Sequence, residues 1–306
     1  ARRRADQPGP AADSVDGVAL RTGYPRWIVA AATQRFGATG VAELRAGNDP
    51  AGLTVRGDDV AALRAALEAA GVTVTPGALD PAALHLDGMA PGDVLDRFPQ
   101  AVIQDEASMV VARVAAAAAP PDGPVLDVCA APGGKATHLA ILGRSVVAAD
   151  RSATRMEMVA DLASRVGVAI DRVVADGARH PWPRDAFAGA LVDAPCSGLG
   201  VVRRRPELRW RRDAADIPAL AALQGALLDA TASVVRRGGA LVYSVCTWTT
   251  EETAAVVEAF LARRRDFAVD PDPLAPRSAT AGPGLQLNSA LHGCDGMYVV
   301  VLRRGG

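Results

Sequence analysis

Short apolar runs alternate with segments of helical periodicity over the last two thirds of the chain. The runs that predict strands are "PVLDVCA", "SVVAAD", "RVVADG", "AGALVDAP", "GALVYSVC" and "MYVVVLRR". Between them, apolar positions recur at helical spacing from about 134, and over 151–166, 219–236 and 250–264. Alternation of this kind predicts an α/β domain with a mostly parallel sheet and helices on both faces.

The first hundred residues follow a different pattern. They predict a helix over 25–37, a strand over 53–57, a second helix over 58–71 and a strand in "VTVTPG". We therefore predict a polar tail or linker over 1–15, a small α/β lobe over 16–103 and the larger domain over 104–306. The larger domain would open with the helix "QDEASMVVARVAAAAA", which the Pro pair after it stops.

Composition narrows the classes of protein. No apolar stretch reaches the roughly 18 residues of a membrane span, and no apolar core follows the basic start "ARRR", so we predict a cytoplasmic protein. The four cysteines lie far apart without clustered histidines, which favours free thiols over a disulfide framework or a metal site. The net charge of −1 does not by itself indicate a nucleic-acid partner, and Lys135 is the only lysine.

A glycine-rich turn follows the first strand of the larger domain. The stretch "VLDVCAAPGGKATHLA" is a strand, a turn and a helix, and it lacks the GxGxxG of dinucleotide sites. Asp150, Asp176 and Asp193 then end the following strands. A single Asp at a strand end is usually a turn former, but three in series can bind ribose hydroxyls and an adenine amino group. The series predicts a nucleoside cofactor.

Five stretches carry a resemblance to a known family, namely "DVCAAPGGKATHLA", "DAPCSGLG", "RRRPELRW", "DIPALAALQGALLDA" and "LVYSVCTWTTEE". They resemble the Nol/Nop/Sun family of RNA cytosine-5 methyltransferases, most nearly its bacterial members that modify 16S ribosomal RNA. The resemblance covers nearly the whole chain, including "YPRWIVAAATQRFG", "VIQDEASMVV" and "DGMYVVVLRR". It implies a Rossmann-like class I methyltransferase domain with a seven-stranded sheet, and a small N-terminal lobe that binds RNA.

The resemblance also implies the cofactor and the residues around it. The cofactor would be S-adenosylmethionine, with S-adenosylhomocysteine as product. The residues that match the family's cofactor site are Cys129, Ala130, Ala131, Pro132, Gly133, Gly134, Lys135, Asp150, Arg155, Asp176 and Asp193.

Two cysteines, Cys196 and Cys246, each follow a predicted strand of the same sheet and would meet at one edge. Carbon 5 of cytosine becomes nucleophilic when a thiolate adds to carbon 6, and a proton must later leave carbon 5. The residues alone do not decide which thiol attacks, because DNA cytosine-5 methyltransferases use the Pro-Cys cysteine. The resemblance assigns attack to Cys246 and product release to Cys196.

Two further residues are expected at the reacting base. Asp193 would bond the protonated N3 of the cytosine, and Lys135 would lie beside the ring. The sequence departs from the family at Val245, where a Thr usually precedes the nucleophile. Cys129 and Cys294 are interpreted as packed thiols, and His138 and His180 receive no chemical role.

An arginine-rich loop follows the Cys196 motif. Its residues Arg203, Arg204, Arg205, Arg209, Trp210, Arg211 and Arg212 are predicted to bind RNA, since guanidinium groups pair with phosphates and Trp stacks on unpaired bases. A charge run is ordinarily a solvated face, but this one adjoins the predicted reaction centre. The target base must leave its stack to reach the thiols.

Three alternatives to 16S ribosomal RNA methylation stay open. They are a non-catalytic RNA-binding ribosome assembly factor, a cytosine-5 methyltransferase for another RNA such as tRNA, and a methyltransferase of DNA or protein. Relatives of this kind usually carry an upstream NusB-like helical domain, so we expect a catalytic portion of a longer protein. A monomer is the expected state.

Overall fold

Two β-sheets organise the chain, and the computed structural model describes residues 11–270 and 283–306. Three helices come first, namely α1 (Val15–Thr22), α2 (Arg26–Phe36) and α3 (Gly40–Ala46). Ser14 caps α1 by accepting a hydrogen bond from the backbone N–H of Gly17. Helix α1 thus begins at the edge of the predicted 1–15 tail, of which residues 1–10 lie outside the described part.

A small antiparallel sheet follows the three helices. Its elements are β1 (Leu53–Arg56), α4 (Val60–Ala69), β2 (Thr73–Pro76), β3 (Leu84–Asp87), α5 (Pro91–Arg97) and β4 (Val102–Ile103). The strand order is β2-β3-β1-β4. Leu63 and Leu67 of α4 pack on Val55 and Leu84 to form a separate core for this sheet.

The larger sheet carries helices on both faces, as predicted. After α6 (Glu106–Ala118), its first part comprises β5 (Val125–Asp127), α7 (Gly134–Ile141), β6 (Val146–Asp150), α8 (Ala153–Arg165), β7 (Asp171–Val174), β8 (Phe187–Asp193), α9 (Leu208–Arg211), α10 (Asp216–Ala232) and β9 (Val235–Val245). Its C-terminal part adds α11 (Ala254–Arg263), β10 (Phe267–Val269), β11 (Leu285–Leu287), α12 (Ser289–His292) and β12 (Met297–Arg304).

Seven of these strands lie in the order β10-β12-β9-β8-β5-β6-β7, and β11 pairs with β12 as an eighth. The pairs from β7 through β9 are parallel, whereas β12 runs antiparallel to its neighbours. The mostly parallel α/β prediction is confirmed. Helices α6, α7 and α8 bury their apolar faces on one side of the sheet, and α10 and α11 do so on the other.

Helix boundaries differ from the periodicity in two places. The helix predicted over 219–236 is α10, which ends at Ala232 because β9 already begins at Val235. The helix predicted over 250–264 opens with a 3-10 turn, Thr250–Glu252, before α11. Within the described ranges, no helix is both long and apolar enough to cross a bilayer.

The N-terminal helices pack against loops of the larger domain. Val18, Tyr24, Ile28, Val29 and Leu44 share one apolar cluster with residues that follow the two predicted cysteine strands, namely Leu199, Val202 and Trp248. Trp248 is only 2% exposed, and its ring lies 5.6 Å from that of Phe36. These helices therefore brace the loops from which Cys196 and Cys246 project.

A buried arginine joins the small sheet to the glycine-rich turn. Arg56 of β1 is 0% exposed and donates to Gln104 Oε1 at 2.6 Å, to the Gly134 carbonyl at 2.8 Å and to Thr137 Oγ1 at 2.7 Å. Burial lowers the pKa of Arg56 to about 10, so it stays charged at neutral pH. A buried cation with several hydrogen bonds fixes the relative position of the groups it joins.

Two glycines allow the backbones of two loops to pass each other in direct contact. Gly296 donates its N–H to the Gly200 carbonyl at 2.8 Å, and Gly200 donates to the Cys246 carbonyl at 3.0 Å. A Cβ on Gly200 would overlap the carbonyl oxygen of Gly296 and lie 2.6 Å from its carbonyl carbon. Only glycine permits this approach.

The carboxyl group of Asp127, at the end of β5, is fully buried. Neither carboxylate oxygen makes a well-formed hydrogen bond. Burial and the negative charge of Asp193 raise the pKa of Asp127 to about 8. The folded protein therefore holds a proton on Asp127 at neutral pH.

We expect Gly200→Ala to destabilise the fold by about 1–3 kcal/mol, because the new methyl group has no room beside Gly296. The matched control is Gly92→Ala in α5, where nothing lies within 4 Å of the added Cβ. Thermal unfolding should show a lower midpoint for Gly200→Ala and no loss for Gly92→Ala. Equal midpoints for the two variants would contradict the steric explanation.

We expect Asp127→Asn to flatten the pH dependence of stability. The pKa of the Asp127 carboxyl is 3.8 in the unfolded chain and about 8 in the folded protein. Between these two pH values the folded state therefore binds more protons than the unfolded state. This group's contribution to stability is present below 3.8 and is lost as pH rises to about 8. Unfolding midpoints of both proteins from pH 4 to 8 test this, and parallel profiles would refute it.

Candidate active site

The carboxyl ends of the parallel strands surround a cavity of about 420 Å³. Residues from four predicted groups line it: the glycine-rich turn, the acidic strand ends, the two cysteine loops and the arginine loop. Among them are Cys129, Ala131, Asp150, Arg155, Asp176, Asp193, Cys196, Arg205, Arg212 and Cys246. Ligands of open α/β sheets bind at this edge.

The glycine-rich turn is shaped by close packing against α8. Gly133 caps α7 with φ of 107°, a conformation that favours glycine, and an added Cβ would lie 3.1 Å from the Cα of Val159. Arg155 of α8 donates to the Ala131 carbonyl at 2.6 Å. The turn is thereby held open toward the cavity.

Two of the predicted acidic residues, Asp150 and Asp176, line this cavity from the ends of neighbouring strands. Asp150 is buried at the end of β6, where it accepts from the Ser152 N–H at 3.0 Å and lies 3.4 Å from Arg155 Nη1. Asp176 follows β7, is exposed, and accepts from the Ala178 N–H at 3.0 Å. Both carboxylates retain free lone pairs toward the cavity they line.

The two cysteines meet. Strands β8 and β9 run in parallel register with Asp193 beside Ser244, so Cys196 and Cys246 emerge from neighbouring strand ends. Their Sγ atoms are 3.3 Å apart. The hydrogen bond with Cys246, together with burial, raises the pKa of Cys196, which keeps Cys196 protonated.

The only lysine lies beside this pair. Lys135 Nζ donates to Asp193 Oδ2 at 2.7 Å and to Ser108 Oγ at 3.4 Å, while Asp193 Oδ1 accepts from Ser244 Oγ at 2.7 Å. Burial lowers the pKa of Lys135, but the charges of Asp193 and Cys246 raise it, and the net shift is upward. Lys135 is therefore a fixed cation near the Cys246 thiol.

A buried carboxylate that the sequence analysis missed holds both cysteine loops. Glu252 accepts from the Ser197 N–H at 2.8 Å, from Gln224 Nε2 at 3.0 Å and from Thr249 Oγ1 at 2.8 Å. Ser197 Oγ also lies 2.8 Å from Thr247 Oγ1, which joins the residues after Cys196 and Cys246. The pair of glutamates after the Cys246 strand was the available signal.

The arginine loop divides into two groups. Four of its arginines bind residues outside the loop: Arg203 the Gly293 carbonyl, Arg204 Asp105 and Asp295, Arg209 Asn48 and the ring of Tyr24, and Arg212 the Ser197 carbonyl. Arg205 bonds Glu207 within the loop at 3.3 Å. Arg205, Trp210 and Arg211 are exposed, and Trp210 is 69% exposed. Arg205 and Arg212 also line the cavity next to Cys196.

The remaining cysteines and histidines lie outside the thiol pair. Burial raises the pKa of both Cys129 and Cys294, which makes them unreactive thiols. His138 is buried in α7, and burial lowers its pKa to about 3. His180 bonds the Ala230 carbonyl at 3.0 Å. No cluster of metal-ligating side chains occurs within residues 11–270 and 283–306.

Known proteins are similar to this chain in sequence and in fold. A putative methyltransferase of Mycobacterium tuberculosis is 38% identical over 95% of this chain and 66% of its own length. The ribosomal RNA small subunit methyltransferase B of Vibrio cholerae is 35% identical over 98% of this chain and 69% of its own length. The chain thus spans about two thirds of these relatives.

The crystal structure of a methyltransferase homologue from Pyrococcus horikoshii superposes with a TM-score of 0.81, at 22% identity, over 95% of this chain and 99% of that one. This similarity confirms the class I methyltransferase fold. The family model described as 16S rRNA methyltransferase RsmB/F matches residues 115–303. The chain belongs to this RsmB/F family of 16S rRNA methyltransferases.

Proposed function

We propose that the protein transfers a methyl group from S-adenosylmethionine to carbon 5 of a cytosine in 16S ribosomal RNA, through a covalent bond between Cys246 and carbon 6. The observation that carries this proposal is the contact of two thiols, 3.3 Å apart, beside the Lys135–Asp193 pair. Such a pair fits a reaction that needs one thiol to attack and a second group to assist release. With ribosomal RNA as substrate, the reaction takes place in the cytoplasm.

The cavity fits the cofactor. Asp150 and Asp176 line it together with Cys196 and Cys246, so a cofactor held by the two carboxylates would lie near the thiols. When bound, S-adenosylmethionine supplies an electrophilic methyl group. Asp150 and Asp176 would hold the nucleoside, and the turn from Cys129 to Lys135 would lie along the amino-acid part.

Cys246 supplies the attacking thiolate. Lys135 places a positive charge beside the attacking sulfur. Addition of sulfur to carbon 6 moves electron density to carbon 5 of the ring. Asp193 faces the same space and would hold the proton on N3, which stabilises the adduct.

Cys196 is suited to the release step. In the free protein its hydrogen bond to Cys246 helps to raise its pKa, so it stays protonated. Once the Cys246 sulfur is bonded to carbon 6, it no longer carries a negative charge beside Cys196, and the pKa of Cys196 falls. Cys196 can then lose its own proton to solvent and, as a thiolate, take the proton from carbon 5, whose electron pair re-forms the ring double bond and expels the Cys246 thiolate.

We expect Cys246→Ala to abolish methylation and adduct formation, a loss of about three orders of magnitude or more for a nucleophile. Cys196→Ala should instead accumulate a covalent protein–RNA adduct, because release is impaired. The measurement is methyl incorporation from tritiated S-adenosylmethionine into 16S ribosomal RNA, read with denaturing gels.

Cys294→Ala is the matched control, since this buried thiol lies outside the cavity, and it should keep normal turnover. Methylation by Cys246→Ala would overturn the assigned nucleophile. Cofactor binding without methylation or adduct on any RNA would favour the non-catalytic assembly factor. Labelled tRNA with unlabelled 16S RNA would move the substrate to tRNA.

We expect Trp210→Ala to raise KM for RNA by roughly 5- to 100-fold, as for a base-stacking side chain, without changing the unfolding midpoint. Arg209→Gln is the contrast, because Arg209 bonds Asn48 at 2.6 Å and lies 4.2 Å above the Tyr24 ring. It should lower the unfolding midpoint. A normal KM for Trp210→Ala would remove this side chain from the RNA surface.

A further inference from the structure

A second, smaller cavity of about 280 Å³ adjoins the cofactor cavity and shares Cys129, Ala131 and Asp193 with it. It lies between the start of α6, the glycine-rich turn and the loop before β12. Its polar lining residues include Gln104, Asp105, Ser108, Asp127, Lys135, Arg204 and Asp295. The proposed catalytic pair Lys135–Asp193 thus forms one of its walls.

Several buried polar atoms of this lining make no well-formed hydrogen bond. They are Nε2 of Gln104, both carboxylate oxygens of Asp127 and Oδ1 of Asp295. Each unpaired buried group costs about 1–3 kcal/mol. Their concentration around one cavity indicates a ligand that brings its own donors and acceptors.

Asp295 is the most rigidly placed of these groups. It is 3% exposed, its Oδ2 accepts from Arg204 Nε at 3.0 Å, and its N–H donates to Asp105 Oδ1 at 3.1 Å. Arg204 also donates to Asp105 Oδ2 at 2.8 Å. This network uses one oxygen of Asp295 and leaves Oδ1 unpaired.

The position of Asp295 is tied to the nucleophile through the backbone. Gly296, the next residue, donates to Gly200, and Gly200 donates to the Cys246 carbonyl. Two consecutive hydrogen bonds therefore connect the loop of Asp295 to the end of the strand that carries Cys246. The wall of the smaller cavity is therefore fixed relative to the Cys246 sulfur, and Asp193 lines both this cavity and the one that contains Cys246.

The target base has a matching edge. Cytosine presents an amino group at carbon 4 next to N3, and the carbon 6 adduct protonated on N3 resembles an amidinium with two parallel donors. Carboxylates are the acceptors that suit such a fork. Asp193 would take the N3 proton, which leaves the amino group for a second carboxylate.

We propose that Asp295 accepts a hydrogen bond from the carbon 4 amino group of the target cytosine and so makes the site select cytosine over uracil. Uracil carries a carbonyl oxygen at carbon 4, which would face the Asp295 carboxylate with no proton between them. A site built for an N–H group rejects an analogue that lacks it. This proposal rests on the proposed function and adds a specificity-determining residue to it.

The test compares RNA substrates that contain either cytosine or uracil at the target position. For Asp295→Asn, whose amide can donate to a carbonyl, kcat/KM for cytosine should fall roughly 10- to 100-fold, the loss of one hydrogen bond to a charged group. The ratio of cytosine to uracil methylation should fall by at least the same factor. Intrinsic reactivity of the two bases cancels when this ratio is compared between proteins.

Arg204→Met is the matched control, because it removes the partner of Asp295 Oδ2 and keeps the carboxylate. It should lower the unfolding midpoint and retain the preference for cytosine. Asp295→Glu also keeps the carboxylate, so it should prefer cytosine at a reduced rate. If Asp295→Asn does not fold, the test uses Asp295→Glu and the protein with Asp295 intact.

For that purpose the protein with Asp295 intact is given RNA with pyrimidin-2-one, which lacks the amino group, at the target position. All proteins in this binding measurement also carry Cys246→Ala, because a ring without the amino group adds a thiolate more readily and covalent trapping would mask the loss of the hydrogen bond. Binding weaker than that of cytosine RNA by roughly 10-fold or more is expected for the protein with Asp295 intact, and a smaller difference for Asp295→Glu.

An unchanged ratio in Asp295→Asn, or equal binding of the two RNAs by the protein with Asp295 intact, overturns the proposal. A rise in KM for S-adenosylmethionine alone also overturns it, because Asp295 would then serve the cofactor. Absence of carbon 5 methylation by the wild type is a different result and overturns the proposed function itself.

Discussion

The contact between the two thiols depends on one buried carboxylate. Glu252 receives hydrogen bonds from the backbone after Cys196, from α10 through Gln224 and from its own turn through Thr249. Tyr243 adds a further bond, from its hydroxyl to the Glu252 carbonyl at 2.6 Å. Strand ends alone bring two loops to one edge of a sheet, but side chains 3.3 Å apart require both loops to be fixed. A carboxylate that accepts several buried donors provides that rigidity.

Much of the fold could be predicted because its signals are local. Alternating runs located the parallel strands, and the three Asp residues at strand ends located the cavity. Strands β3 and β4 escaped notice, since Leu84–Asp87 and Val102–Ile103 are too short to show a period. They form only because β1 offers both edges for pairing. The pairing of strands is a tertiary property, and the periodicity of one short segment does not reveal it.

The arginine loop shows the same limit of sequence-based prediction, here for functional residues. The six arginines of this loop look alike in sequence, yet distant partners decide which of them are available to RNA. Asn48 and Tyr24 hold Arg209, and Asp105 and Asp295 hold Arg204. These partners lie about a hundred residues or more away along the chain. Part of the positive charge therefore stabilises the junction with the N-terminal lobe, and only the remainder is available to a polyanion.

The packing of α1–α3 on Leu199, Val202 and Trp248 has a kinetic consequence. A ribosome makes the three helices before the residues that cover their apolar faces, which lie more than 150 residues further along the chain. Until Trp248 has emerged, these faces have no native partner, and short helices are marginal alone. The N-terminal lobe thus completes its folding after the catalytic loops exist. The N-terminal helices are therefore synthesised before the catalytic loops but reach their native packing only after them.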